Sequence, residues 1–276
     1  MITSVTNQKV KRVVQLNKKS SQRRKEGVFV AEGIKMFLEA PKEWIEEVYV
    51  SEGFWEELER QTDSNCGSTE ALKEDAGKKL KNCKYEVVST EVFEKMSDTQ
   101  TPQGILCVLR QAHYTLEHMM QTGKAPLFLV LENLQDPGNL GTIMRTGEGA
   151  GISGVIMSKE TVDLYNPKTI RATMGSVYRV PFLYTDNLHD TIRQMQKCGV
   201  NVYAAHLKGT KNYDAFDYRK PTAFLIGNEG NGLTDETAAL ADTYIRIPME
   251  GQLESLNAAV ASAILMYEGA RWRRKG

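Results

Sequence analysis

Three polar segments in the second half of the chain carry the residue types that could do chemistry. They span residues 133–145, 227–233 and 249–257, and their side chains of interest are Asn139, Arg145, Asn228, Glu229, Ser255 and Asn257. The set has no histidine, no cysteine and no pair of carboxylates, which argues against a hydrolytic triad, glycoside cleavage and metal chemistry. Two of the segments are rich in glycine, which permits close backbone approach. Backbone amides and carbonyls in such loops can hold a purine and an amino-acid tail.

Two nucleotide-binding motifs are missing from these segments. No Gly-x-Gly-x-x-Gly follows the first strand of this half, and Gly147, Gly149 and Gly151 come so late that they are predicted to end the helix instead. No Gly-Lys-Ser or Gly-Lys-Thr occurs, so a phosphate-binding P-loop is excluded. The chain therefore fits neither a dinucleotide enzyme nor a P-loop NTPase.

Strands must position the three segments. Each segment follows an apolar run that is predicted to be a strand, at residues 127–131, 222–226 and 244–247. Continuous apolar strands separated by helices predict a mostly parallel sheet with helices on both faces. Loops that leave the carboxyl ends of parallel strands meet at one edge of the sheet, so the three segments are predicted to form one site.

A helix is predicted to follow the third segment. Ser255 is a candidate N-cap, because its hydroxyl can accept hydrogen bonds from the free amides of a first helical turn. Small residues would let another backbone approach this helix closely: Ala258, Ala259, Ala261 and Ala263. An apolar side is predicted from Val260, Ile264 and Leu265.

The first half of the chain alternates strand and helix signals and predicts a small α/β sandwich. Its strands are predicted at residues 28–31, 47–51, 85–89 and 104–110. The expected organisation is an amino-terminal domain over residues 1–111, a linker over 112–124 and a second domain over 125–276. The turn-rich segment 97–104 is either an ordinary surface loop or a polar contact surface for RNA.

Composition and charge bound the function classes. The 276 residues carry no net charge, with 35 basic and 35 acidic side chains, so attraction to nucleic acid cannot be argued from the total. Basic residues nevertheless cluster at both ends, and such clusters are either solvated faces or phosphate contacts. The amino-terminal cluster contains Lys9, Lys11, Arg12, Lys18, Lys19, Arg23, Arg24 and Lys25. The carboxyl-terminal cluster contains Arg271, Arg273, Arg274 and Lys275.

The cysteines and the apolar runs indicate a cytoplasmic protein. The four cysteines are scattered without a Cys-x-x-Cys pair, so neither a structural zinc site nor any other metal is expected, and the thiols are expected to be reduced. No signal peptide is evident after Met1, and the longest apolar runs are too short to span a bilayer.

The three segments resemble the three motifs of the SpoU/TrmH family, the RNA ribose 2′-O-methyltransferases of the SPOUT superfamily. The motifs stand in the family's order as NLQDPGNLGTIMRT, FLIGNEGNGL and IPMEGQLESLNAAVA. The amino-terminal half is similar, more weakly, to the family's small substrate-binding domain through NQKVK, FVAEG and TPQGI. The resemblance implies S-adenosylmethionine as cofactor, a carboxyl-terminal trefoil knot and a homodimer with its sites at the subunit interface.

The resemblance also implies roles for individual residues. The catalytic set would be Asn139, Arg145, Glu229, Ser255 and Asn257. The cofactor-pocket positions would be Leu225, Ile226, Gly227, Asn228, Gly230, Ile247, Met249, Leu256 and Ala258.

Within the catalytic set, Asn139 would orient the ribose and Glu229 would steady the loops. Arg145 is described in the family as contacting phosphate and helping to deprotonate the hydroxyl. Because a guanidinium stays protonated in proteins, we expect Arg145 to stabilise the developing alkoxide, with proton transfer only if a phosphate assists.

The expected activity is methyl transfer to a ribose 2′-hydroxyl of structured RNA, with large-subunit ribosomal RNA first and transfer RNA second. Two other hypotheses remain open from the sequence: a SPOUT enzyme that methylates a base, and a non-catalytic RNA-binding assembly factor. The amino-terminal domain with its basic cluster is the predicted RNA-binding part.

Overall fold

The computed structural model describes residues 1–60, 68–121 and 125–274. The chain forms two compact units, Met1–Ala112 with Tyr165–Tyr178, and His113–Leu164 with Arg179–Gly276. The domain boundaries at residues 111/112 and 124/125 stay a prediction.

The first unit contains a four-stranded sheet. Its strands are β1 (Val28–Glu32), β2 (Ile45–Ser51), β3 (Tyr85–Val88) and β4 (Ile105–Arg110). They lie in the order β1-β4-β2-β3, with β4 antiparallel to β1 and β2, and β2 parallel to β3. The helices are α1 (Gln8–Lys18), α2 (Ser20–Glu26), α3 (Ile34–Glu39), α4 (Glu52–Arg60), α5 (Ser68–Leu80) and α6 (Thr90–Met96). The four predicted strands are thus present.

Helices α1 and α2 were not predicted, because basic residues obscure the apolar stripe of α1 and α2 contains no apolar residue. Val10, Val13 and Leu16 are buried at a spacing of three residues along α1. The side chain of Asn7 begins the helix by accepting a hydrogen bond from the Lys9 amide at 2.9 Å. Gly27 ends α2 in the left-handed conformation (φ 66°), which is typical of a glycine C-cap.

The second unit contains a seven-stranded sheet. Its strands are β5 (Leu127–Leu131), β6 (Gly154–Ser158), β7 (Phe182–Thr185), β8 (Asn201–Ala205), β9 (Lys211–Asn212), β10 (Thr222–Ile226) and β11 (Thr243–Arg246). The order is β7-β6-β5-β10-β8-β11-β9, and every described pairing is parallel. Every residue of β5, β6 and β10 is buried, so both faces of the sheet are covered. The predicted parallel sheet is confirmed, while the trefoil knot stays a prediction.

The helices of the second half of the chain are α7 (Leu116–Met120), α8 (Pro137–Ala150), α9 (Pro167–Thr173), α10 (Leu188–Lys197), α11 (Asp235–Ala238) and α12 (Ala258–Arg274). Of these, α9 lies in the segment that belongs to the first unit. Helix α8 ends at Gly151 (φ 70°), whereas Gly147 and Gly149 lie inside it, so only one of the three glycines is a terminator as predicted.

The prediction that Ser255 caps the last helix is wrong. Helix α12 begins at Ala258, and the side-chain oxygen of Asn257 accepts hydrogen bonds from the amides of Ala259 and Val260 at 2.9 and 3.3 Å. Asn257 therefore satisfies the free amides of the first turn, two residues after the predicted cap.

Helix α12 packs against α8 and against strands β5 and β10. A Cβ atom on Gly269 would lie only 3.0 Å from the Leu127 side chain, so this glycine lets the helix approach the sheet. The predicted apolar side of α12 is divided, because Leu265 is fully buried whereas Val260 is 48% exposed. With Ile264 and the 45%-exposed Tyr267, Val260 forms an outward apolar stripe at helical spacing.

Among the described residues, no helix is both long and apolar enough to cross a bilayer.

Candidate active site

A cleft of about 310 Å³ opens at the carboxyl edge of the parallel sheet. It is formed by the residues that follow three adjacent strands, β10, β8 and β11, and by the start of α12. The lining comprises Ala205–Leu207, Ile226–Leu233, Ile245–Ile247, Met249, Glu254–Leu256, Ala258 and Ala261. The cleft lies where an α/β sheet is expected to bind ligands.

Most of the predicted cofactor positions lie in this lining. Those present are Ile226, Gly227, Asn228, Gly230, Ile247, Met249, Leu256 and Ala258. Leu225 is the exception, since it is fully buried within β10. Of the predicted catalytic residues, Glu229 and Ser255 line the cleft, whereas Asn139, Arg145 and Asn257 do not.

The sequence predicted a site without histidine, and the structure corrects this. His206 follows β8 and lines the cleft, because β8 lies between β10 and β11 in the sheet. Its Nδ1 accepts a hydrogen bond from the Lys208 amide at 3.1 Å, and its ring lies 5.2 Å from the ring of Tyr244. The strand order that brings the end of β8 into the site was not readable from the chain.

Gly227 is required by the close approach of the chain to itself. Asn228 and Gly232 exchange two backbone hydrogen bonds of 2.9 Å, which fold residues 228–232 into a tight loop. A Cβ atom on Gly227 would lie 1.9 Å from the carbonyl carbon of Gly232. The loop that walls the cleft can therefore form only with glycine at this position.

Glu229 fastens the first polar segment to this loop. Its carboxylate accepts hydrogen bonds from the amides of Gln135 and Asp136 at 3.0 and 2.9 Å, and from the side-chain nitrogen of Asn139 at 3.0 Å. Burial raises the pKa of Glu229, but these donors outweigh it, so the pKa lies below its ordinary value of 4.5. Glu229 therefore stays ionised near neutral pH.

Asn139 and Asn257 continue this network. The side-chain nitrogen of Asn257 donates to the side-chain oxygen of Asn139 at 3.0 Å. Because Asn139 donates to Glu229 and accepts from Asn257, its amide orientation is fixed by both neighbours. Hydrogen bonds thus join one residue from each of the three polar segments in a single side-chain network beside the cleft.

Arg145 lies outside this hydrogen-bonded network. It is exposed on α8, about 9 Å along the helix axis from Asn139 at the usual rise per residue. No hydrogen bond or ion pair joins it to any residue that the structure describes. Its guanidinium is available to a ligand or to another molecule.

Glu132, which the sequence did not single out, holds the other end of the 227–234 loop. It directly follows β5 and is only 7% exposed. Its carboxylate accepts hydrogen bonds from the amide and hydroxyl of Thr234 at 2.8 and 2.9 Å and from the hydroxyl of Thr237. A charged residue at the end of a fully apolar strand was the signal available in the sequence.

The amino-terminal basic cluster divides into paired and unpaired residues. Lys9 pairs with Glu86 at 2.6 Å, and Arg12 pairs with Glu26 at 2.6 Å and lies 3.5 Å from both Glu46 and Glu47. Arg23 is 3% exposed and donates to the carbonyls of Leu16 and Asn17. These three side chains are engaged by contacts within the unit.

The rest of that cluster faces solvent. The exposed residues are Lys11, Lys18, Lys19, Arg24 and Lys25, and no ion pair joins any of them to a described residue. We call these five residues the basic face. Glu26, the only acidic residue before Gly27, is hydrogen-bonded to Arg12 and Gln22.

The carboxyl-terminal basic cluster is largely structural. Arg271 donates to Glu268 at 2.7 Å, and Arg273 donates to the carbonyls of Pro126 and Lys220, both at 3.0 Å. Burial lowers the pKa of Arg273 to about 10. Of the arginines in this cluster only Arg274 is exposed, and Lys275 lies outside the described residues.

The segment 97–104 is held in place by Glu32. The hydroxyls of Ser97 and Thr99 donate to its carboxylate at 2.7 and 2.6 Å, and the Asp98 amide donates at 3.2 Å. These hydroxyls are engaged within the unit, which favours the interpretation of the segment as a surface loop.

In the part of the chain that the structure describes, no group of histidine, cysteine, aspartate or glutamate side chains is arranged to hold a metal ion.

Comparison with known proteins finds a matching family model for each half of the chain. Residues 126–267 match the model of the SpoU rRNA Methylase family, and residues 7–107 match the MRM3-like substrate binding domain. The chain is 32% identical over 268 residues to the 23S rRNA (guanosine(2553)-2′-O)-methyltransferase RlmP of Bacillus subtilis (strain 168), covering 96% of this chain and 97% of that protein.

Two solved structures are similar along nearly the whole chain. The AdoMet-bound rRNA methyltransferase from Sinorhizobium meliloti has a TM-score of 0.82 and 33% identity, covering 98% of this chain and 97% of that one. An RNA 2′-O ribose methyltransferase has a TM-score of 0.79 and 28% identity, covering 99% of each chain.

Proposed function

Because the chain belongs to the SpoU rRNA methylase family, we propose that it transfers a methyl group from S-adenosylmethionine to a ribose 2′-hydroxyl of large-subunit ribosomal RNA. The single observation that carries the proposal is the cleft at the carboxyl ends of β10, β8 and β11, which is bordered by the hydrogen-bonded network of Glu229, Asn139 and Asn257. The relatives RlmP and the AdoMet-bound enzyme from Sinorhizobium meliloti carry the same activity class in their names.

The cleft fits the proposed cofactor. Its volume of about 310 Å³ is at the lower end of the range for small-molecule sites. Gly227, Gly230 and Gly232 bring no side chains to the lining, so a ligand can approach the backbone closely, and Ile226, Ile247 and Leu256 supply apolar walls. Bound there, S-adenosylmethionine would supply a sulfonium-activated methyl group, which is electrophilic without help from a metal ion.

The residues of the chain then have to place the ribose and stabilise charge. Asn139, held by Glu229 and Asn257, orients the ribose hydroxyl. Glu229 acts by fixing Asn139 and the loop, since its oxygens are already occupied by three donors. Ser255 lies in the lining and contacts the acceptor or the cofactor.

Arg145 is proposed to stabilise the alkoxide that develops on the ribose. A planar guanidinium donates in a fixed fork and does not accept the proton itself. Arg145→Lys keeps the charge but loses the fork, so we expect methyl transfer to fall by about 100-fold while S-adenosylmethionine affinity stays within twofold. Single-turnover assays and calorimetry on the same preparations measure both quantities, and retention of most activity would contradict the role.

The partners and location follow from the same proposal. The amino-terminal unit binds RNA through the basic face, because phosphate attracts unpaired cations and the paired ones are already neutralised. The chain forms a homodimer through the outward stripe Val260–Ile264–Tyr267, and it works in the cytoplasm, where ribosomal RNA is modified.

The decisive experiment has two readouts. Isothermal titration calorimetry with S-adenosylmethionine should show binding to the full chain, which separates an enzyme from a cofactor-free RNA-binding module. Methylated RNA digested to nucleosides should contain a 2′-O-methylated ribose and no methylated base. Absence of donor binding, or a methyl group on the base, would overturn the proposal.

A further inference from the structure

Glu132 occupies an unusual position for a carboxylate. It is buried to 93%, since only 7% of it is exposed, and it stands at the end of β5, whose five residues are all apolar and buried. No lysine or arginine among the described residues pairs with it. A buried charge without a counter-ion is costly unless fixed donors satisfy it.

Three donors satisfy Glu132, and all come from one short stretch of chain. The Thr234 amide donates to Oε2, and the hydroxyls of Thr234 and Thr237 donate to Oε1. Only a carboxylate offers two oxygens that accept and nothing that donates. Thr237, fully buried, also contacts Nε2 of His189 at 2.9 Å, so its hydroxyl is held from two sides.

The contacts of Glu132 mirror those of Glu229. Glu132, from the loop after β5, accepts from the end of the loop after β10, whereas Glu229, from the loop after β10, accepts from the loop after β5. Between them, the side chain of Asn228 donates to the carbonyl of Asn133 at 2.8 Å. The two loops are therefore cross-linked at three points along their length.

We propose that Glu132 is a positioning residue for the methyl donor: with Glu229 it forms a reciprocal pair of carboxylates that holds residues 227–233 in the shape that walls the cleft. The proposal rests on the proposed function of the cleft. Glu132 does not line the cleft and acts only through the loop, because its three donors lie at and beyond the end of that wall. Loss of its charge would release one end of the wall while Glu229 still holds the other.

Glu132→Gln tests this inference, since it keeps the shape and replaces one accepting oxygen with a donor. We expect the Kd for S-adenosylmethionine, measured by calorimetry on the full chain, to rise about tenfold or more, as expected when a hydrogen bond to a charged group is lost. The KM for the donor should rise in parallel, whereas the KM for RNA should stay within twofold.

Thr237 supplies a milder pair of variants for the case that Glu132→Gln does not fold. Thr237→Val removes the hydroxyl and keeps the volume, and should weaken donor binding severalfold. Thr237→Ser restores the hydroxyl and should restore most of the affinity. Equal Kd values for the two variants would overturn the inference.

Glu268→Gln is the matched control for burial. Glu268 is 9% exposed in the same unit and accepts from Arg271 and Trp272, about 15 Å along α12 from the start of the helix. Its variant should lower the unfolding temperature without changing the Kd for the donor. A Glu132→Gln protein that lost stability but kept its affinity would overturn the positioning role and leave the proposed function intact, whereas a native protein without donor binding would overturn the proposed function itself.

Discussion

Glu32 in the first unit and Glu229 in the second perform the same local task with different consequences. Each carboxylate accepts three hydrogen bonds from a turn-rich segment, residues 97–99 for Glu32 and residues 135–139 for Glu229. Glu32 borders a recess of only about 10 Å³, whereas Glu229 lines a cleft of about 310 Å³. A polar loop fixed by a carboxylate is thus not a site by itself; it becomes one where the sheet edge leaves room for a ligand.

The largest effect is expected when Glu229 is truncated. Glu229→Ala leaves two backbone amides and the Asn139 side chain without their acceptor, which at about 3 kcal/mol in total corresponds to at least about a 100-fold loss of methyl transfer. Steady-state assays with labelled donor measure the loss.

Glu32→Ala is the control for that experiment. It breaks an equivalent set of hydrogen bonds in the first unit and should leave methyl transfer unchanged. If both variants lost methyl transfer equally, the distinction between the two carboxylates would be wrong.

An intermediate effect is expected from replacing residues of the basic face. This variant tests whether the first unit binds RNA while the second unit binds the methyl donor. The triple variant Lys11→Gln, Lys18→Gln, Lys25→Gln should weaken RNA binding by about tenfold near physiological salt and reduce the slope of log affinity against log salt by about 2. Donor affinity should not change. Fluorescence anisotropy over a series of salt concentrations measures both the affinity and the slope.

The matched control removes three lysines that already pair with acids in the same unit. Lys35 lies 3.7 Å from Glu39, Lys73 lies 2.5 Å from Glu57, and Lys78 lies 2.7 Å from Glu74. Their replacement by glutamine should leave the slope nearly unchanged. An equal slope change in both triple variants would show that net charge, rather than the basic face, controls binding.

The smallest effect is expected from pH. Hydrogen bonds lower the pKa of Glu229 in the folded protein below 4.5, so its contribution to stability is fully present above about pH 4.5 and is lost as the pH falls through the lowered folded pKa. The difference in unfolding temperature between the native protein and Glu229→Gln should be constant from pH 7 to 5 and then shrink. A difference that instead grew in acid would contradict the assigned sign.

The sequence alone was sufficient to predict structure where a pattern repeats along the chain, and it was insufficient where distant segments meet. The apolar runs correctly predicted strands β1–β5, β10 and β11, and the three motifs led to the family and to most of the cleft lining. The end of β8 was missed because strand order, not spacing, brings His206 beside β10 and β11. The start of α12 was misplaced because Ser255 and Asn257 are both good caps, and only the path of the preceding loop decides between them.

The sequence alone also could not show which charged side chains have partners within the fold. The two basic ends look alike as strings of lysine and arginine, yet Arg12, Arg23 and Arg273 are held by acids or carbonyls of their own units. Glu132 was missed because the two threonines that donate to it lie more than a hundred residues downstream.

Helix α12 determines how late in synthesis the lining of the cleft is completed. Its first turn contributes Ala258 and Ala261 to the cleft, while Arg273 near its end grips the carbonyls of Pro126 and Lys220, just ahead of β5 and β10. The ribosome must therefore release the chain through α12 before the cleft has its full lining. A fragment truncated before α12 is expected to lack part of the donor site.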